Sequence, residues 1–340
     1  MQNTTALINM EGTRVMAAFR DFAEGAGQPV SQDDGGLTVS VKRGTLTIAP
    51  KGAGTTIKIE TRDEAALQTI RDMLVDRLGE MGLSPDWQDD LTGKRPGNQS
   101  LTQVTSVERI SPSFMRVEIE GPDLARFATG GLHFRLLFGP DGAPWPVMDA
   151  KGATDWPGGM QAWHRPVYTT RAITTDGDAA RIAFDVFRHD GGRVTEWCDR
   201  VTPGTEMAIT GPGGNALPAH VGWQGLIGDE TAMPVVARIL EAMREDARGE
   251  AVLFVPDLAD RQDIRHPEGV SLRWVLRGGE ETPLDAVKAL RLPDTDRRIF
   301  FAAERSEATA VRNHLSQAGL QKGTFKAAAY WTAEEADRAT

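Results

Sequence analysis

"HRPVYTTRAITTD", residues 164–176, sets two arginines, a tyrosine and paired threonines inside a run that alternates like a half-buried strand. Val167, Thr169 and Arg171 fall on one face, Tyr168, Thr170 and Ala172 on the other, and the inward face of an antiparallel strand is ordinarily apolar. Hydroxyls and charge there imply a polar occupant against the strand. Flanking runs say what sheet it joins: "LTQVTSVERI" (101–110), "FMRVEIEG" (114–121), "LHFRLLFG" (132–139), "ARIAFDVFRH" (180–189) and "EMAITGP" (206–212). Short strands separated by turns, with one small helix at 194–200, predict a closed or nearly closed antiparallel β-barrel.

After residue 223 the pattern changes. "GLIGDE" (225–230), "AVLFVPD" (251–257), "SLRWVLRG" (271–278) and "RIFFAAE" (298–304) alternate with helical spacings at 233–243, 284–290 and 308–315, which predicts a parallel α/β sheet. Upstream, Val15, Met16, Phe19, Phe22 and Ala23 mark one amphipathic helix and Leu67, Ile70, Leu74, Leu78 and Met81 a second. Between them lie three short strands, "LTVSV" (37–41), "GTLTIAP" (44–50) and "TTIKIET" (55–61), with a turn at Asp34-Gly35-Gly36. This is a small α+β unit. Residues 82–100, rich in Pro, Gly, Asp and Asn, suit a linker or an extended crossing. The expected division is a small α+β domain over 1–93, a β-barrel over 94–220 and an α/β domain over 221–340.

A chain of 340 residues is long enough for two or three such domains. A formal charge of -10 argues against nucleic acid, because neutralising phosphates takes clustered Lys and Arg. One cysteine, Cys198, excludes an internal disulfide, and 6 scattered histidines give no metal-ligand spacing. The start "MQNTTALINMEG" lacks the basic and apolar regions of a signal peptide, and no apolar run is long enough for membrane insertion. The cytoplasm is the expected location.

A barrel followed by an α/β sheet resembles flavin reductases of the ferredoxin-reductase type. Arg165, Tyr168 and Thr169 resemble their R-x-Y-[ST] motif, and "RPVYTTR" is similar to the R-x-Y-T-x-R of the siderophore-interacting protein family, FAD-dependent ferric-siderophore reductases. Further segments carry the same resemblance in order: "RHDGGRVTEW" with the following "GPGG", "GDETAMP", "FAAERSEATAVRNHL" and "AAYW", together spanning about 101–332. Ala302-Ala303-Glu304 and Ala329-Tyr330-Trp331 depart from the family's A-G-E and G-Y-W. The N-terminal segment resembles a small domain of unknown function found alone or fused to such reductases.

The resemblance implies FAD, with NADPH or NADH or an electron-donor protein behind it and a ferric siderophore as substrate. Arg165 is then a charge-assisted contact to pyrophosphate. Tyr168 offers a ring and a hydroxyl to the isoalloxazine or ribityl, and the Thr169 hydroxyl a hydrogen bond to flavin N5. His189, Gly192, Val194 and Thr195 form a glycine turn before a helix, which fits either a phosphate site or an ordinary hairpin and cap, with Thr195 a candidate cap. Asp229 and Thr231 stand where nicotinamide nucleotides usually bind, yet acids there repel a pyrophosphate, and a capping role is equally open. Arg135, Arg193 and Lys326 are candidate contacts to an anionic siderophore or plain surface charges. Cys198 reads as a buried spacer, since no second cysteine could resolve it. Two other functions stay open: a general flavin reductase with another acceptor, and a redox-inactive siderophore-binding module.

Overall fold

The computed structural model describes residues 1–33, 35–321 and 323–333. It divides into two compact units, one of Met1–Ser100 with Leu136–Pro166 and Ala208–Gly211, the other of Leu101–Arg135, Val167–Met207 and the chain from Pro212 onward.

In the first unit, strands β1 (Gln2–Ile8), β2 (Val30–Asp33), β3 (Gly36–Val41), β4 (Gly44–Lys51), β5 (Gly54–Thr61) and β6 (Asp86–Trp87) form one sheet in the order β2-β3-β4-β5-β1-β6. Helices α1 (Gly12–Gly25) and α2 (Glu64–Glu80) share its core, where Val15, Phe19, Leu67, Ile70 and Leu74 meet the inward residues of β3, β4 and β5. The expected three-stranded meander is thus a six-stranded sheet. Polar "QNTTALI" conceals β1, because only Thr4, Ala6 and Ile8 of its alternating pattern are buried. Asp33 Oδ1 accepts from the Gly35 and Gly36 amides at the β2–β3 turn, and Asp34 of the expected turn lies outside the described residues. Trp87 and Leu91 enter the core, and Met148, from a small hairpin described below, joins them.

The barrel sheet comprises β7 (Gln99–Ser111), β8 (Phe114–Gly121), β9 (His133–Leu136), β12 (Val167–Thr169), β13 (Ala172–Asp176), β14 (Ala179–Phe187) and β15 (Glu206–Gly213), in the order β12-β9-β15-β7-β8-β14-β13. Between β9 and β12 the chain makes the hairpin of β10 (Val147–Met148) and β11 (Thr154–Asp155). Register shifts at Val104/Ser106 and Arg109/Ser111 let β7 bend, as bulges do. The single strand expected over 166–175 is two. β12 and β13 are the opposite edges of the sheet, separated by Thr170 and Arg171: the Thr170 amide donates to Leu132 beside β9 and the Arg171 amide to Ala183 on β14. Crossing from one edge to the other in two residues requires the sheet to curl into a nearly closed barrel, and the simple alternation fails there because Thr169 and Thr170 are both buried.

The α/β part is a five-stranded parallel sheet of β16 (Trp223–Gly228), β17 (Arg248–Val255), β18 (Val270–Leu276), β19 (Arg297–Glu304) and β20 (Phe325–Trp331), in the order β18-β17-β16-β19-β20. Apolar cores lie on both faces, which explains near-continuous runs such as Ala251–Val255. Helix α3 (Arg193–Cys198) belongs to the barrel, while α4 (Met233–Glu241), α5 (Pro283–Lys288) and α6 (Arg305–Gln317) cover the parallel sheet. Strand order reverses between β16 and β19, placing the usual ligand crevice at their carboxyl ends.

Candidate flavin site

Tyr168 and Thr169 sit on β12, whose partner β9 sets Phe134 opposite Tyr168 and His133 opposite Thr169. Phe134 and Phe184 are buried and meet edge to face at 5.3 Å, and the Tyr168 ring lies 5.2 Å from Phe184. Burial holds the Tyr168 phenol well above its ordinary range, with Cys198 a second cause, so it stays neutral and can donate. Thr169 is buried, and next to it Thr170 Oγ1 is fully buried with no hydrogen-bond partner in the protein. Native structures rarely leave a buried hydroxyl unpaired unless a water or ligand satisfies it.

Arg165 stands three residues before Tyr168, one more than the R-x-Y spacing, and Pro166 takes the place two residues before the tyrosine. Its guanidinium carbon lies 4.8 Å from the centre of the Trp156 ring. Arg171 is bound in both its terminal nitrogens by Glu241 of α4, at 2.9 and 2.8 Å. Beside it, Arg238 donates to the Thr170 carbonyl. The last arginine of the motif therefore ties the barrel edge to α4.

The glycine turn gathers His189, Gly192 and Thr195. A Cβ on Gly192 would stand 2.7 Å from the exposed His189 ring and 3.0 Å from Thr195 Oγ1, so a side chain there would make the His189 ring swing away. Thr195 is not the helix cap: Gly192 holds that position without a side-chain bond, and Thr195 Oγ1 accepts from the His189 amide at 3.3 Å. Val194 is buried beneath the turn, while Arg193 is exposed. Cys198 ends the helix, buried, with burial pushing its thiol up to about 12.

Asp229 is wholly taken up by the fold. Its Oδ1 accepts from Thr231 N and Oγ1 and from Ala232 N, and its Oδ2 accepts from Trp331 Nε1 at 2.7 Å and Arg277 Nη1 at 3.2 Å. Arg277 also reaches Glu230 at 2.8 Å and Glu307 at 3.5 Å, and lies over the Trp331 ring. Burial and then the Asp229 charge push the Glu230 carboxyl up, with Arg277 opposing them. The crevice at the strand-order reversal is thus lined by acids around one arginine. Arg135 and Lys326 are exposed on β9 and β20, Arg135 opposite Val167 and Lys326 over the Phe300 ring.

Sequence reasoning missed His133. Its Nε2 hydrogen-bonds Tyr330 of β20 at 3.1 Å, and burial, then Lys326, lower its pKa to about 4. A lone histidine in a strand carries no spacing signal, and its partner lies 197 residues away.

Two family models match adjoining stretches: the siderophore-interacting FAD-binding domain over residues 103–216 and the siderophore-interacting protein over residues 221–334. An NADPH-dependent ferric-chelate reductase of Escherichia coli is 29% identical over 241 residues, covering 68% of this chain and 92% of that protein. A ferric vibriobactin reductase of Vibrio cholerae is 28% identical over 239 residues, covering 65% and 85%. Among solved structures, a siderophore utilization protein from T. fusca superposes with TM-score 0.61 at 26% identity over 69% of this chain and 93% of that one. A siderophore-interacting protein from Aeromonas hydrophila does so with TM-score 0.57 at 26% identity, over 69% and 98%. The side chains fit the flavin that such a domain binds, offering a neutral phenol at Tyr168, the Thr169 hydroxyl beside it on the same strand and a close-packed glycine turn before α3. Barrel, parallel sheet and both family matches agree, and the chain belongs to the siderophore-interacting protein family, with FAD as its cofactor.

Proposed function

We propose that the chain is a reductase that takes electrons from NADPH and delivers them through FAD to the Fe(III) of a ferric siderophore, releasing Fe(II) in the cytoplasm. The observation that supports it most is that Tyr168 and Thr169 lie on an edge strand of the barrel, inside the segment matched by the FAD-binding model. The relatives' names, a ferric-chelate reductase and a ferric vibriobactin reductase, supply the substrate class.

Bound FAD supplies the conversion between a two-electron donor and a one-electron metal acceptor. The protein's part is to hold and tune it. In this reading Arg165 faces the pyrophosphate. Tyr168, neutral through burial, donates its hydroxyl at the ring edge, and Thr169 hydrogen-bonds N5. His189, Gly192, Val194 and Thr195 shape the turn where main chain approaches phosphate. Asp229 and Thr231 anchor the α/β part, so the nicotinamide nucleotide docks away from their carboxylate crevice. Arg135, Arg193 and Lys326 offer cations to an anionic siderophore. Iron stays on the siderophore's oxygens, which hold Fe(II) less tightly than Fe(III), so release follows reduction and the protein needs no iron ligand. The domain division proposed is 1–93, 94–220 and 221–340.

The test is the absorption spectrum of the purified protein with added FAD. Anaerobic titration with NADPH, NADH and a ferric siderophore follows, with Fe(II) captured by a chromogenic chelator. Arg165→Ala should weaken FAD binding about tenfold or more. Thr169→Ala should keep FAD and slow flavin reduction by about tenfold. A protein that stays colourless with FAD overturns the reading. Reduction of free flavin or ferricyanide as fast as of the siderophore would instead make it a general flavin reductase.

A further inference from the structure

Arg165 and the Trp156 ring it stacks on both belong to the first unit. The extra residue between Arg165 and Tyr168 matters, because successive side chains of an extended chain point to opposite faces. An arginine moved from two residues before the tyrosine to three leaves the face that the motif gives it, and strand geometry alone no longer directs it. A contact that helps to place it is the Trp156 ring, 4.8 Å from the guanidinium carbon. Trp156 is held in turn by buried Trp163, whose ring is 5.5 Å away and whose Nε1 donates to the Pro157 carbonyl at 2.9 Å.

Trp156 directly follows the β10–β11 hairpin, and that hairpin is bound by N-terminal side chains. Asp72 of α2 accepts from Thr154 N at 2.9 Å and from Thr154 Oγ1 at 3.1 Å, while Gln68 donates to the same Asp72 oxygen and to the Gly152 carbonyl. Trp87 Nε1 donates to the Lys151 carbonyl at 2.6 Å. Gly152, at φ 75°, lies so close that a Cβ would stand 2.6 Å from Trp87 Nε1. Met148 exchanges main-chain bonds with Gly93 and Lys94 and is buried in the N-terminal core. A surface loop that needed only to close the barrel would not require this many specific partners.

We propose that the N-terminal residues are the positioning support of the flavin-phosphate arginine: Asp72 clamps the β10–β11 hairpin, and the residue after it, Trp156, carries the Arg165 guanidinium. The proposal rests on the reading of Arg165 as the pyrophosphate contact. Asp72 touches no cofactor and acts through Thr154 and Trp156, fixing a long side chain that otherwise loses conformational freedom on binding.

The experiment uses the full chain and reads FAD affinity by quenching of flavin fluorescence, beside kcat at saturating FAD. Asp72→Ala should raise the Kd for FAD about tenfold while kcat at saturation stays within about twofold. Asp72→Asn keeps an acceptor for Thr154 and should return most of the affinity. Trp156→Leu should weaken FAD similarly, and the double variant should be no worse than the stronger single, since both act on one path. Wild-type affinity in Asp72→Ala, or fully additive losses in the double variant, overturns the proposal alone. A wild type that binds no FAD overturns it together with the flavin reading.

Discussion

Tyr168 and His133 remain neutral chiefly for the same reason, burial that disfavours their charged forms, with Cys198 adding to it for the phenol and Lys326 for the imidazole. For His133 the consequence is a pH dependence. Its folded value of about 4 lies below the 6.5 of the unfolded chain. Its contribution to stability is therefore complete above about 6.5 and lost as pH falls toward 4. The loss is on the order of 2 kcal/mol once partial exposure is discounted. Urea unfolding between about pH 4 and about pH 8 should show a shallower slope in His133→Gln, and equal slopes would remove His133 as the cause. Tyr168 and Thr169 stand where the motif puts its tyrosine and hydroxyl, whereas Arg165 falls one residue outside its spacing. The hydroxyl of Thr170 and the Arg171–Glu241 pair were not legible in advance, since each depends on neighbours brought in by the fold.

At the scale of elements, the turn after β16 shows how one carboxylate can hold several pieces. Asp229 fixes the turn before α4, receives Trp331 from the end of β20 and partners Arg277 beyond β18. Asp229→Ala should lower the apparent unfolding free energy by about 2–4 kcal/mol, and Asp229→Asn, which keeps acceptors, by less. Urea unfolding followed by circular dichroism measures this. Equal stability in all three proteins would show that the network carries no net weight. Strands with regular alternation, such as β8 and β14, and helices with three-and-four spacing were readable in advance. β1 was not, because its polar face hides it, and neither was the break between β12 and β13. That break is made by hydrogen bonds to Leu132 and Ala183, which local sequence cannot foresee.

For the whole molecule, FAD should act as a ligand of the folded state only. At about one hundred times its Kd it should stabilise by about 2.7 kcal/mol, raising the melting temperature by about 4 °C. Scanning fluorimetry across an FAD titration measures it, and a melting point indifferent to that saturation would count against a flavin bound to the native state. Among the described residues, no helix is long and apolar enough to cross a membrane. By itself the sequence determined the succession of a small α+β segment, an antiparallel barrel and a parallel sheet, because strand and helix periodicities are local properties of the chain. It also placed the motif that names the family. Only the tertiary structure decided that the stretch over 82–100 contributes Trp87 and Leu91 to a core and that Asp72 grips Thr154. Only there, too, do acids crowd around Arg277 at the strand-order reversal. These depend on residues dozens of positions apart becoming neighbours, and burial then decides which of their charges and hydroxyls find partners.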